Sequence, residues 1–209
     1  MEHQSVGDGK IRNVIFDLGG VLLDWNPEKI LSGFYADATL RASLKQALFL
    51  HPEWRALNRG EFTEVEFLAR AGKRTGRPAA ELSALLDSMR ESLITKPDTV
   101  ALLQALHRRG VPLYCLSDMP VSVYAYLRVR HDFWSAFSGI VISGEVKMAK
   151  PEPEIFEYLL SRFKLRPEHT VFIDDLALNV EGAMGAGLHA IQFIDAVQCA
   201  RDLDAVMGR

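Results

Sequence analysis

The stretch Val14-Ile15-Phe16-Asp17-Leu18-Gly19-Gly20-Val21-Leu22 decides the reading of this chain. Ile11 to Phe16 is a short apolar run rich in β-branched residues, the pattern of a parallel-type strand buried on both faces. It stops at Asp17, and Leu18-Gly19-Gly20 turns the chain. Working outward, four more candidate strands follow at Pro112 to Leu116, Gly139 to Ile142, Thr170 to Ile173 and His189 to Phe193. Helical patterns lie between them. In Glu154 to Phe163, the residues Ile155, Phe156, Leu159, Leu160 and Phe163 share one face, behind Pro151 and Pro153. Strands alternating with helices predict an α/β fold, a three-layer Rossmann-like parallel sheet covered on both faces.

Spacing exposes a second module. A strand, crossover helix and parallel strand take roughly 30 residues, yet Asp17 and Ser117, at the ends of consecutive core strands, are 100 residues apart. The surplus of about 70 residues, near Pro27 to Lys96, reads as amphipathic helices at Glu28 to Tyr35, Ala38 to Phe49, Thr63 to Thr75 and Ala79 to Leu93. It is expected to stand as an inserted α-helical cap over the edge where the first strand ends. The predicted organisation is a core of residues 1–24 and 97–209 with a cap of residues 25–96.

A chain of 209 residues and 23.4 kDa excludes a large multidomain assembly. Its 48% apolar and 24% charged residues exclude a disordered chain. With 24 Lys plus Arg against 27 Asp plus Glu, it lacks the broad basic excess of sequence-independent nucleic-acid binders, and no nucleic-acid partner is expected. No apolar run approaches ~18 residues and the start is polar, so neither a membrane span nor a signal peptide is expected and the cytoplasm is the expected location. Cys115 and Cys199, far apart in apolar sequence, read as buried thiols. Monomer and homodimer are both left open.

Ligands of open parallel sheets bind outside the carboxyl ends of the strands. The residues there are Asp17, then Ser117 and Asp118, then Lys150 before a Pro-initiated helix, then Asp174 and Asp175. Each alone also fits a turn or a helix cap; jointly they point to one site. Asp17, Asp174 and Asp175 would repel one another, and Lys150 offsets only one charge, which leaves room for a divalent ion. Oxygen ligands without a nearby histidine select a hard cation, Mg2+ first. Such a cation with a lysine, a hydroxyl and helix N-termini suits a phosphoryl group, and a carboxylate beside it can attack phosphorus. No P-loop is present. Gly182, Gly185 and Gly187 form no dinucleotide fingerprint and read as helix-packing positions.

These residues carry a resemblance that spans the chain from Ile11 onward. Val14 to Leu22, Leu116-Ser117-Asp118, Lys150-Pro151-Glu152-Pro153-Glu154-Ile155-Phe156, and Phe172-Ile173-Asp174-Asp175 with Asn179 to Ala183 and Gly187 resemble the haloacid-dehalogenase-like hydrolase superfamily, in its helical-cap subgroup. Within it the chain looks most like the sugar-phosphate phosphatases typified by α-D-glucose-1-phosphate phosphatase and the phosphatase domain of soluble epoxide hydrolases. The resemblance implies an Mg2+-dependent phosphomonoester hydrolase acting on a small phosphorylated metabolite. Asp17 would be nucleophile and metal ligand, with the Gly19 carbonyl also on the metal. Ser117 and the Asp118 amide would hold the phosphoryl oxygens, and Lys150 would bridge nucleophile and phosphate. Of the acidic pair one would bind Mg2+ directly and the other through water, Asp175 and Asp174 respectively or the reverse, while Asn179 orients the acidic loop. Trp25 at the hinge and Arg59 in Asn58-Arg59-Gly60 are the candidate substrate contacts, whereas Trp54 reads as cap packing.

Gly19 departs from the family pattern. Most phosphatases and phosphomutases of the family carry there a second aspartate that transfers protons, a function worth ~10²–10⁴-fold in rate. Its absence disfavours a phosphomutase and leaves a phosphatase for substrates whose leaving group needs little protonation, unless Asp24 or Asp118 substitutes. Two alternatives accompany this reading: a catalytically weak phospho-ligand binding or regulatory protein, and a metal-independent 2-haloacid dehalogenase, against which the Asp174-Asp175 pair speaks.

Overall fold

The computed structural model describes residues 10–208; the polar start at residues 1–9 lies outside the described residues. Five parallel strands form one sheet in the order β3-β2-β1-β4-β5, with β1 Asn13–Phe16, β2 Leu113–Ser117, β3 Gly139–Ile142, β4 Thr170–Asp174 and β5 His189–Gln192. Alternation along the strands divides the core. Val14, Phe16, Leu113, Cys115, Val171 and Ile173 face one side, while Ile15, Tyr114, Leu116 and Phe172 face the other. Two buried faces explain why these strands are apolar throughout, since helices must cover both. The three-layer expectation holds.

The helices between β1 and β2 are α1 Pro27–Ser32, α2 Ala38–Ala47, α3 Pro52–Asn58, α4 Glu64–Thr75, α5 Ala79–Ser92 and α6 Pro97–Arg108. The first five form the helical insertion. Its two ends run side by side, with the Asp24 amide donating to the Ile94 carbonyl at 2.8 Å and the Lys96 amide to the Leu22 carbonyl at 2.9 Å. After β2 come α7 Val121–Arg130, a 3-10 turn, β3 and α8 Ser143–Val146; α9 Pro153–Phe163, α10 Ala177–Gly185 and α11 Ala196–Val206 complete the chain.

Four of the five helices of the insertion follow the apolar periodicity. The fifth, α3, has no counterpart among the expected helices. It is seven residues long with Leu57 as its one buried residue, too little for a period of 3.6 to register. Its signal was Pro52 at the first helical position, where the His51 ring accepts the Glu53 amide at 3.2 Å. Elsewhere local chemistry marks the ends: Thr63 and Glu66 close a capping box on α4, and Gly76 ends that helix in the left-handed conformation, φ 68°.

Cys115 and Cys199 are free and buried, as expected. Gly182 is a packing position: a Cβ there would meet the Pro151 carbonyl oxygen at 2.5 Å, so α10 and the segment before α9 approach to a distance that only glycine permits. Among the described residues no helix is long and apolar enough to cross a membrane.

Candidate active site

Each strand delivers its last polar residue to the same edge. Asp17 follows β1, Ser117 ends β2 with Asp118 next, and Asp174 ends β4 with Asp175 next. The register holds them level, because Phe16 pairs with both Cys115 and Ile173. Lys150, between α8 and α9, reaches into this group. Its Nζ lies 2.9 Å from Asp17 Oδ1 and 2.7 Å from Asp174 Oδ2. Lys150 is 4% exposed, Asp17 6% and Asp174 fully buried.

Partners are shared unequally. Asp174 accepts from Lys150, from the Leu176 amide at 2.9 Å, and from Asn179 Nδ2 at 3.0 Å to each of its oxygens. Its carboxylate is therefore held rigidly by protein donors. Asp17 Oδ1, by contrast, is buried without an aligned hydrogen-bond donor, despite the nearby lysine. Asp118 Oδ1 accepts the Lys150 amide at 3.3 Å, which ties the loop after β2 to the lysine's own backbone.

The electrostatics follow from burial. Loss of hydration pushes the Asp17 carboxyl up to about 7; Lys150 and the Ser117 hydroxyl oppose this, and Asp174 adds to it. Asp118 and Asp175 are also raised, each chiefly by burial. For Lys150 burial alone would lower the value, but Asp17, Asp174 and Asp118 outweigh it and hold the ammonium well above its ordinary range. Ligand atoms of Asp17, Asp174 and Asp175 lie within 4.8 Å of one another. Three carboxylates so close, with a single lysine between them, form a donor set suited to a hard divalent cation. Gly20 permits the approach: at φ 78° its missing side chain would collide with the Asp175 carboxylate.

Over this edge lies a cavity of about 330 Å3, and Asp17, Gly19, Trp25, Ser117, Asp118, Lys150, Asp175 and Asn179 all border it. Two expectations need correcting. Arg59 does not border the cavity: at the C-terminal cap of α3 its guanidinium is taken up by the opposite charge of Glu152 on the core, which also binds Arg55 at 3.0 Å. Trp54 is more than packing; it borders the cavity and stacks on Trp25, ring centres 6.0 Å apart and planes 15° from parallel. Asp24 pairs with Lys29 at 3.2 Å and is not among the bordering residues, whereas Asp118 is.

Insertion and core meet around this opening. Arg55 donates to the Lys150 carbonyl at 3.1 Å, and Ser143 donates to the Asn58 carbonyl at 2.7 Å. Ser122 donates to Glu64 at 2.6 Å.

Comparison with known proteins fits this geometry. Residues 11–187 match the family described as haloacid dehalogenase-like hydrolase. The chain is 27% identical to the sesquiterpene phosphatase of Aspergillus oryzae, over 93% of this chain and 95% of that one. It is 30% identical to the drimenol cyclase of Aspergillus calidoustus over 95% of its own length, but spans only 37% of that protein. Among solved structures, a HAD family enzyme of Bacteroides thetaiotaomicron, crystallised as a magnesium complex, superposes with a TM-score of 0.69 at 25% identity, covering 88% of this chain and 93% of the other.

Proposed function

The chain belongs to the haloacid dehalogenase-like hydrolases, and from that premise we propose that it is an Mg2+-dependent phosphomonoester hydrolase working through an aspartyl-phosphate on Asp17. The observation that carries the reading is the convergence of Asp17, Ser117, Lys150, Asp174 and Asp175 at one sheet edge, with Lys150 between Asp17 and Asp174 and the ligand atoms of the three carboxylates within 4.8 Å of one another. A phosphatase among the relatives and a magnesium complex among the similar structures support it. Residues 25–96 act as the cap and the remainder as the core. Free buried thiols suit the reducing cytoplasm.

In this reading Asp17, Asp175 and the Gly19 carbonyl would hold the cation, and the donors already on Asp174 leave Asp175 the freer ligand. Bound Mg2+ supplies the positive charge that keeps Asp17 ionised and offsets the phosphoryl charge. The Asp17 carboxylate attacks phosphorus, an O–P bond forms, and the ester P–O bond breaks with its electron pair on the leaving oxygen, which departs as the oxyanion and takes its proton from water. Water then cleaves the acyl phosphate and returns Asp17 and inorganic phosphate. Lys150 and Ser117 hold the phosphoryl oxygens through both steps, assisted by the amide of Asp118, and Asn179 fixes Asp174. Substrates are small phosphorylated metabolites, a class that includes sugar phosphates.

Hydrolysis of p-nitrophenyl phosphate by the purified protein is expected to require Mg2+, to stop with EDTA, and to be lost in Asp17→Asn. Turnover equal to wild type in that variant would refute Asp17 as the nucleophile.

A further inference from the structure

The cavity divides into two chemistries. At its floor stand the carboxylates, Ser117 and Lys150; above them the bordering surface is mostly hydrocarbon, with Trp25, Trp54, Met89 and Leu93 on the hinge and cap side and Val123 and Leu127 on the core side. The aromatic part is braced. Trp25 and Trp54 stack, and Phe49 meets them edge-on at 5.7 and 5.0 Å. Trp25 Cβ also lies 3.7 Å from the point where a side chain at position 19 would begin. The aromatic wall therefore starts beside the place from which a proton donor would reach a leaving oxygen. Asn58 also borders the cavity, but its Oδ1 is itself buried.

We infer that the alcohol half the site binds best is apolar and hydrocarbon-like rather than a sugar, so that phosphate monoesters of such alcohols have the lowest KM. The inference rests on the hydrolase reading above and specifies the alcohol half of its substrate. A sugar would strand several hydroxyls against these walls, each costing roughly tenfold or more in affinity. A hydrocarbon chain gains about fourfold per methylene buried. The volume sits at the lower end of ligand pockets, ~300–1,000 Å3, enough for a phosphoryl group and a medium-length chain.

The test is a chain-length series. KM is measured with Mg2+ for n-alkyl phosphates from ethyl to octyl and for glucose 6-phosphate, with p-nitrophenyl phosphate run beside them to report the catalytic centre. Binding of the matching non-hydrolysable n-alkylphosphonates is measured by calorimetry. KM and Kd are expected to fall by about fourfold per methylene until the cavity fills, with glucose 6-phosphate far weaker than hexyl phosphate. Trp54→Ala is expected to flatten the series and Trp54→Phe to retain it. Active turnover of p-nitrophenyl phosphate with no chain-length dependence, or a preference for the sugar phosphate, overturns the inference and leaves the hydrolase reading standing. Phosphonate binding that tightens with chain length in a protein without turnover does the reverse. The wild-type series decides the matter even where Trp54→Ala does not fold.

Discussion

Replacing Gly19 by aspartate is expected to give this protein the proton-transfer group that its sequence lacks. Position 19 accepts a side chain. Its backbone lies outside the left-handed region, unlike Gly20 at φ 78°, and a Cβ there would meet only Trp25 Cβ at 3.7 Å and Cγ at 3.9 Å, ordinary contact distances. No overpacking cost arises at the Cβ. The new carboxyl would stand near Asp17 and Asp175 on a partly apolar wall, so burial and like charge both favour its protonated form, the form that donates to a leaving oxygen. Positioned proton transfer contributes ~10²–10⁴-fold, which is about 2.7–5.4 kcal/mol of barrier at ~1.36 kcal/mol per decade. The gain should appear with poor leaving groups. For hexyl phosphate kcat is expected to rise by at least ~100-fold; for p-nitrophenyl phosphate, whose phenolate leaves without a proton, it should change little. The assay is steady-state phosphate release over alcohols of graded acidity, with wild type steep and Gly19→Asp shallow. An unchanged kcat for hexyl phosphate in a variant that still folds and still hydrolyses p-nitrophenyl phosphate would refute the argument that the missing proton donor limits this site.

Lys150→Met leaves Asp17 and Asp174 buried without their shared cation; unfolding free energy is expected to drop by ~3–5 kcal/mol in chemical denaturation, with partial recovery on adding Mg2+. Gly182→Ala forces a methyl toward the Pro151 carbonyl oxygen, 2.5 Å from the Cβ, and should cost ~1–3 kcal/mol, read as a lowered Tm. For Glu53, burial alone would raise the carboxyl, but Arg74 at 2.5 Å and Arg70 at 3.4 Å outweigh it and hold it below its ordinary value of 4.5. A lowered folded value means this group stabilises the protein above about pH 4.5 and stops doing so as pH falls through the folded value. Glu53→Gln should therefore flatten the acid limb of the stability profile below about pH 5 while leaving its slope near neutrality unchanged; an unaltered acid limb would rule the ion pair out as a source of stability.

What could be read in advance divides along a physical line. Apolar runs such as Val14-Ile15-Phe16 and Val171-Phe172-Ile173 identify a sheet buried on both faces, because no other environment accepts them on both sides. Once the strands are placed, parallel topology alone sends Asp17, Ser117, Asp174 and Asp175 to one edge. The seven-residue α3 escaped the periodicity, having a single buried residue, Leu57.

Side-chain direction around α3 was not legible. Arg59 and Trp54 lie within six positions of each other, yet only the tryptophan borders the cavity while the arginine turns to Glu152. That choice depends on how α3 lies against the core, a distance between segments about 90 residues apart that no local pattern encodes. The sheet, four of the five inserted helices and the gathering of acidic residues were legible in the chain, since these follow from local hydrophobic period and from the rule that strand ends meet at one edge. That the wall above the site is aromatic emerges from the folded chain alone, because Trp25, Phe49 and Trp54 are brought together from segments that share no periodicity.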